Sequence, residues 1–218
     1  MQYIRNVIFD LDGTLVDSFP GIEKSILFAL KELGYEKPDN QNIKALIGPP
    51  MRVIFEKLLA PFDDARIDQA IEIYREHYRR YGVFIARCYE GIDDVLARLI
   101  ESGIQLFIAT SKRQHFADLM LENNGLQHFF HQVYGSTNDG RFDNKDHLVA
   151  HLVSENKLAV SECVLIGDRK DDVVAAQHNA ITSIGAAWGY ASQGELMAAQ
   201  ANSICESPDK LLPLILRR

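Results

Sequence analysis

A short apolar run, Val7-Ile8-Phe9, leads straight into two carboxylates, Asp10 and Asp12, and then into Gly13-Thr14-Leu15-Val16-Asp17-Ser18. A charge at the end of a buried strand is costly unless something pairs with it. Two carboxylates two residues apart raise that cost. A divalent cation offsets both charges, because hard ions such as Mg²⁺ prefer oxygen ligands. Gly13 then allows a sharp turn. Two more apolar runs end the same way: Leu106-Phe107-Ile108-Ala109 runs into Thr110-Ser111, and Val164-Leu165-Ile166 into Gly167-Asp168, with Asp171 and Asp172 close behind. Carboxylates and hydroxyls at three strand ends point to metal-dependent phosphate chemistry.

The elements that must bring these ends together follow from hydrophobic spacing. Strands at Val7–Phe9, Ile104–Ala109, Val133–Tyr134, Val164–Ile166 and Thr182–Ala186 alternate with helices, and Ile204 marks a last edge strand. The helices are carried by Ile92/Val95/Leu96/Leu99/Ile100, Phe116/Leu119/Met120, Leu148/Leu152/Val153, Val173–His178 and Leu211/Leu214. Such alternation predicts parallel pairing through crossover helices. Apolar runs without inside-outside alternation fit a sheet covered on both faces. Ligands of an open parallel sheet bind outside the carboxyl ends of its strands, so the three polar ends should share one crevice. Between the first two strands the pattern is helical: Ile22/Ile26/Leu30/Leu33, then Ile43/Leu46/Ile47 closed by Gly48-Pro49-Pro50, then Val53/Ile54/Leu58, then Ile67/Ala70/Ile71/Tyr74/Tyr78. The fold class is α/β, a Rossmann-like parallel sheet with an inserted all-helical domain. The expected division is 1–15 with 89–218 for the sheet domain and 16–88 for the insertion.

Four motifs in order closely resemble the haloacid dehalogenase-like hydrolase superfamily over nearly the whole chain. They are Asp10-Leu11-Asp12-Gly13-Thr14, Thr110, Lys145 placed 23 positions before Asp168, and Gly167-Asp168-Arg169-Lys170-Asp171-Asp172. The helical insertion resembles that superfamily's cap. Ile47-Gly48-Pro49-Pro50-Met51, Thr110-Ser111-Lys112, Gly135–Arg141 and Gly189-Tyr190-Ala191 resemble its phosphoglycolate phosphatase-type group. Ile85-Ala86 departs from the polar Glu-Asn that many relatives carry there. The resemblance implies Asp10 as nucleophile, forming an aspartyl-phosphate, and Asp12 as general acid and then base. It implies Thr110 and Lys145 as catalytic groups against the phosphate, with backbone amides of Leu11, Ser111 and Lys112 as further donors. Mg²⁺ is the implied cofactor, held by Asp10, by Asp12 through its carbonyl, by Asp168 and, directly or through water, by Asp172. Gly48 and Arg52 are the candidate specificity residues.

Each residue also has a plainer reading. Asp10 and Asp12 taken alone are turn residues, Thr110 or Ser111 a helix cap, Asp171 a charge favoured by a helix N-terminus. Lys112, Arg169 and Lys170 read as rim charges, Arg52 equally as a solvated arginine, and Tyr74/Tyr78/Tyr81 as helix packing.

A net charge of −7, with no dense Lys/Arg cluster, argues against nucleic acid or an anionic membrane as partner. The 47% apolar and 24% charged fractions are those of a globular chain. Cys88, Cys163 and Cys205, without metal-ligand spacing, fit a reducing compartment. The N-terminus lacks a signal-peptide pattern, and the long uncharged stretch 173–194 is broken by polar residues, so a cytoplasmic protein is expected. Its expected partner is a small phosphorylated metabolite, and its expected state a monomer or weak homodimer. Phosphoglycolate leads the substrates, ahead of nucleoside monophosphates and sugar phosphates. The rivals are a β-phosphoglucomutase-type phosphomutase and a catalytically inactive binding protein. The complete Asp10, Asp12, Thr110, Lys145, Asp168 set argues against the latter.

Overall fold

A computed structural model describes residues 3–36, 42–137 and 139–216. The chain packs as two compact units, Met1–Asp17 with Arg87–Arg218, and Ser18–Ala86.

The first unit is built on a six-stranded sheet in the order β5-β4-β1-β6-β7-β8, every neighbour parallel. The strands are β1 (Asn6–Phe9), β4 (Gln105–Arg113), β5 (Gln132–Ser136), β6 (Cys163–Gly167), β7 (Thr182–Ala186) and β8 (Ser203–Cys205). A separate antiparallel ribbon pairs β2 (Val16–Asp17) with β3 (Arg87–Cys88). This ribbon moves the division between the units two residues from the expected 15/16 and 88/89. Strands of two residues leave no periodic trace in the sequence.

Helices α5 (Ile92–Glu101), α6 (Gln114–Asn123), α7 (Lys145–Glu155), α8 (Lys170–His178), α9 (Glu195–Ala198) and α10 (Leu211–Leu216) complete this unit. Successive β1 residues point to opposite faces, yet Val7, Ile8 and Phe9 are all buried, as a sheet covered on both sides requires. Ile8, Phe107 and Leu165 face one cluster with Leu148, Val149 and Leu152 of α7 and Ala175 and Ala176 of α8. The three cysteines are free thiols.

The second unit contains α1 (Phe19–Glu32), α2 (Ile43–Leu46), α3 (Met51–Leu59) and α4 (Ile67–Arg80). Pro20 lies in the first turn of α1, where its missing N–H costs nothing. Ile22, Ile26, Ala29 and Leu30 of α1 are buried, as are Ala70, Ile71, Tyr74 and Tyr78 of α4. The Tyr74 and Tyr78 rings stack at 5.4 Å, which makes them packing residues, while Tyr81 lies exposed. No helix among the described residues is long and apolar enough to cross a membrane.

Candidate active site

The strand register sets the site. Phe9 lies opposite Ile108 of β4 on one side and Ile166 of β6 on the other. The residues that follow therefore emerge side by side, and the Asp10 amide donates to the Ile166 carbonyl at 2.8 Å. Asp10, Thr110 and Asp168 are all buried there.

Lys145 reaches this point from α7. Asn144 caps that helix, its side chain accepting from the amides of Asp146 at 2.8 Å and His147 at 3.4 Å. That cap fixes Lys145 as the first helical residue. Its Nζ donates to Asp10 Oδ1 at 2.5 Å and pairs with Asp172. Asp172 Oδ2 accepts from the Arg169 amide at 2.9 Å, while Oδ1 has, among the described residues, the Lys145 ion pair and no further hydrogen bond. Asp168 accepts from the Tyr190 amide at 2.7 Å and from the Thr14 hydroxyl at 3.2 Å.

Oxygens of Asp10, Asp168 and Asp172 lie within 4.8 Å of one another, all three residues buried. With all three ionised, three carboxylates would face one ammonium, an excess of two negative charges in a buried site. Burial, reinforced by repulsion from Asp172, pushes the Asp10 carboxyl up to about 7 despite Lys145. Burial, then repulsion from Asp10 and Asp172, also raises Asp168 well above the carboxylate range. For Lys145, burial would lower the pKa, but the attraction of Asp10 and Asp172 outweighs it and raises it. The oxygen donors, the charge excess and the incompletely bonded Asp172 Oδ1 fit a hard divalent cation.

Asp12 turns away from this cluster. Both its oxygens accept from Lys112 Nζ, at 3.0 and 2.9 Å. The Lys112 side chain is 6% exposed, so Lys112 is no rim charge. Its expected partner was solvent because the true one lies 100 positions away. The Lys112 amide donates to Thr110 Oγ1 at 3.2 Å. Neither Thr110 nor Ser111 caps a helix, since β4 runs on to Arg113 through a register shift and α6 starts at Gln114. Leu11 is buried, with its carbonyl accepting from the amides of Thr14, Leu15 and Val16, and Ser111 is half-buried. In the other unit, Arg52 is exposed and pairs with Asp68, and Gly48 takes φ +129°.

Residues 7–186 match the haloacid dehalogenase-like hydrolases as a family. The chain belongs to that family. It is 38% identical over 200 residues to a 5′-nucleotidase of Pseudomonas aeruginosa, covering 92% of this chain and 90% of that one. It is 34% identical over 184 residues to the tyrosine-protein kinase PtkA of Mycobacterium tuberculosis, covering 84% of this chain and 62% of that one. Among solved structures, a predicted phosphatase from Clostridium acetobutylicum superposes with a TM-score of 0.91 at 34% identity, covering 99% and 100% of the two chains. This hydrolase is a phosphoric monoester hydrolase.

Beyond its four motifs, the hydrolase braces Asp168 with the segment after β7. Trp188 Nε1 donates to the Thr14 carbonyl at 3.0 Å, and the Tyr190 hydroxyl to Asp17 Oδ1 at 2.9 Å. Gly189 has no room for a side chain, since a Cβ there would sit 2.3 Å from Asp168 Cβ and 2.4 Å from the Gly13 carbonyl oxygen. Gly13 is doubly constrained: its φ is +85°, and a Cβ would meet Asp168 Oδ2 at 2.3 Å. Gly13→Ala is expected to lower stability by about 1–3 kcal/mol and to displace Asp168, with turnover falling far more than the melting temperature. A melting curve beside a rate assay checks this, and unchanged turnover would contradict the placement of Asp168.

Arg169 is another correction to the rim reading. Its Nε donates to Glu195 Oε1 at 2.8 Å, with both side chains mostly buried. Lys170 and Asp171 are exposed.

Proposed function

We propose that this hydrolase is a Mg²⁺-dependent phosphatase of small phosphorylated metabolites that works through an aspartyl-phosphate at Asp10. The observation that carries this is the buried Asp10–Lys145–Asp172–Asp168 cluster at adjacent strand ends, with a separately held carboxylate, Asp12, two residues from Asp10.

In this reading the Asp10 carboxylate attacks phosphorus and the ester oxygen departs. Asp12 gives that oxygen its proton, then takes a proton from the water that cleaves the aspartyl-phosphate. Lys112 fixes the direction from which Asp12 does both. Lys145 holds a positive charge against Asp10 and the phosphoryl oxygens, and the Thr110 hydroxyl donates to one of them. Leu11 and Ser111 supply amides along the same edge, whereas the Lys112 amide, expected as a third donor, is engaged by Thr110 Oγ1. Asp10, Asp168 and Asp172 would hold the Mg²⁺, with the Asp12 carbonyl as a further ligand, and the bound ion would shield the repulsion between carboxylate and phosphate.

Nucleoside monophosphates become the leading substrates, because the 38%-identical relative is named a 5′-nucleotidase. Phosphoglycolate follows on the resemblance of the Gly48-Pro49-Pro50 loop, then sugar phosphates. Gly48 and Arg52 remain the proposed specificity residues. Free thiols in all three cysteines favour a cytoplasmic setting.

The test is phosphate release from nucleoside monophosphates, phosphoglycolate and hexose phosphates, with Mg²⁺ and then with chelator. Release that requires the metal is expected, with one class preferred by at least about tenfold in kcat/KM, or about 1.4 kcal/mol. An isomer in place of free phosphate would identify a mutase, and labelled transfer to tyrosine would match the name of the mycobacterial relative. No release from any monoester would overturn the phosphatase reading.

A further inference from the structure

We infer that Glu195 is a positioning residue for the cation site, acting through Arg169 and the start of α8. This rests on the metal reading of Asp10, Asp168 and Asp172 given above. Glu195 lies in a polar stretch after β7, outside every motif that marks the site. Yet its carboxylate receives four hydrogen bonds. Oε1 accepts from Arg169 Nε at 2.8 Å and the Lys170 amide at 3.0 Å. Oε2 accepts from the Ser192 amide and the Ser192 hydroxyl, each at 3.0 Å.

These bonds join two loops that both handle metal-site carboxylates. Arg169 and Lys170 lie between Asp168 and Asp172, and the Arg169 amide holds Asp172 Oδ2. Ser192 lies two residues after Tyr190, whose amide holds Asp168 Oδ2. Glu195 therefore ties the backbone that orients Asp172 to the backbone that orients Asp168. Ligand oxygens held by such outer partners bind metal more tightly, because less ordering remains to be done on binding.

Charge adds a second effect. The Arg169 side chain is 13% exposed and the Glu195 side chain 11%. Arg169 Nη1 is buried without a hydrogen-bond partner, and among the described ion pairs Glu195 is the carboxylate that compensates this guanidinium. Without that carboxylate, an unneutralised buried cation would stand next in the chain to Asp168 and oppose a divalent ion nearby. The bonding is strong enough to overcome burial: burial would raise the Glu195 carboxyl, but Arg169 and the amides hold it down at about 2.

The experiment titrates Mg²⁺ into the full chain without substrate, by calorimetry and by the shift in melting temperature. Wild type is compared with Glu195→Gln and Glu195→Ala. Gln keeps the size and an acceptor but loses the charge, so it remains folded if Ala does not. The expected result is metal affinity weakened about tenfold in Glu195→Gln. The Mg²⁺ concentration for half-maximal turnover should rise with it, while turnover at saturating metal stays close to wild type. A purely structural role would lower the metal-free melting temperature and leave the metal dissociation constant unchanged, which would overturn the inference. If wild type itself binds no Mg²⁺, the metal reading fails and this one with it. Wild type that binds, beside a Gln variant that binds equally well, defeats the Glu195 role alone.

Discussion

Asp10→Asn is expected to abolish turnover while the protein stays folded, a loss of at least about 10³-fold in kcat/KM. An amide oxygen is too poor a nucleophile to attack phosphorus, and no neighbouring group is placed to substitute for it. Asp12 is held by Lys112, and Asp168 by Thr14 and the Tyr190 amide. The same change should stabilise the metal-free protein. The folded-state pKa of Asp10 is raised from 3.8 to about 7. Between those values the folded state keeps a proton that the unfolded chain has released, so stability falls as pH rises. A neutral Asn escapes that loss, and its carbonyl still accepts from Lys145. The melting temperature of the variant, measured in chelator, should exceed wild type above about pH 7 and approach it near pH 4. Loss of activity with loss of folding would point instead to a structural Asp10, and turnover within about tenfold of wild type would remove it as nucleophile.

The parts of this site that could be read in the sequence are those announced by a local conflict. Asp10, Thr110 and Asp168 each follow a run of buried apolar residues, and a polar group there demands an explanation. The parallel sheet was legible for the same reason, since Val7–Phe9 and Val164–Ile166 show no polar alternation. Lys112 and Glu195 create no such conflict. Each is a charged residue in a polar segment, and its partner lies 100 or 26 positions away. The contact exists only once the chain has folded. The Thr110-Ser111-Lys112 motif is legible in the sequence, but the contact of its lysine with Asp12 is tertiary. The β2–β3 ribbon and α9 are two to four residues long, below any hydrophobic period. Gly189-Tyr190 was visible as a resemblance, but its cause, the packing against Asp168, is tertiary.

Lys145→Met is expected to act on the same cluster with the opposite sign. Lys145 is the only cation in contact with Asp10 and Asp172 among the described ion pairs. Removing it leaves three buried carboxylates facing one another, and breaking a buried pair in this way costs about 3–5 kcal/mol. The loss should depend on pH in a definite direction. Asp10 and Asp168 are already raised by burial and mutual repulsion, and without Lys145 they rise further. Protonation then relieves the repulsion, so the destabilisation is largest at about pH 8 and shrinks towards about pH 5. Added Mg²⁺ should recover part of the stability at the higher pH, because it replaces the missing positive charge, but not the activity, because in the proposed mechanism Lys145 also holds its charge against the phosphoryl group. Combining it with Asp10→Asn should cost less than Lys145→Met alone, since one of the three repelling charges is gone. Denaturant melts of the four proteins at the two pH values, with and without Mg²⁺, measure each of these terms. Simple additivity across that cycle would mean that Asp10 and Lys145 do not share one electrostatic site.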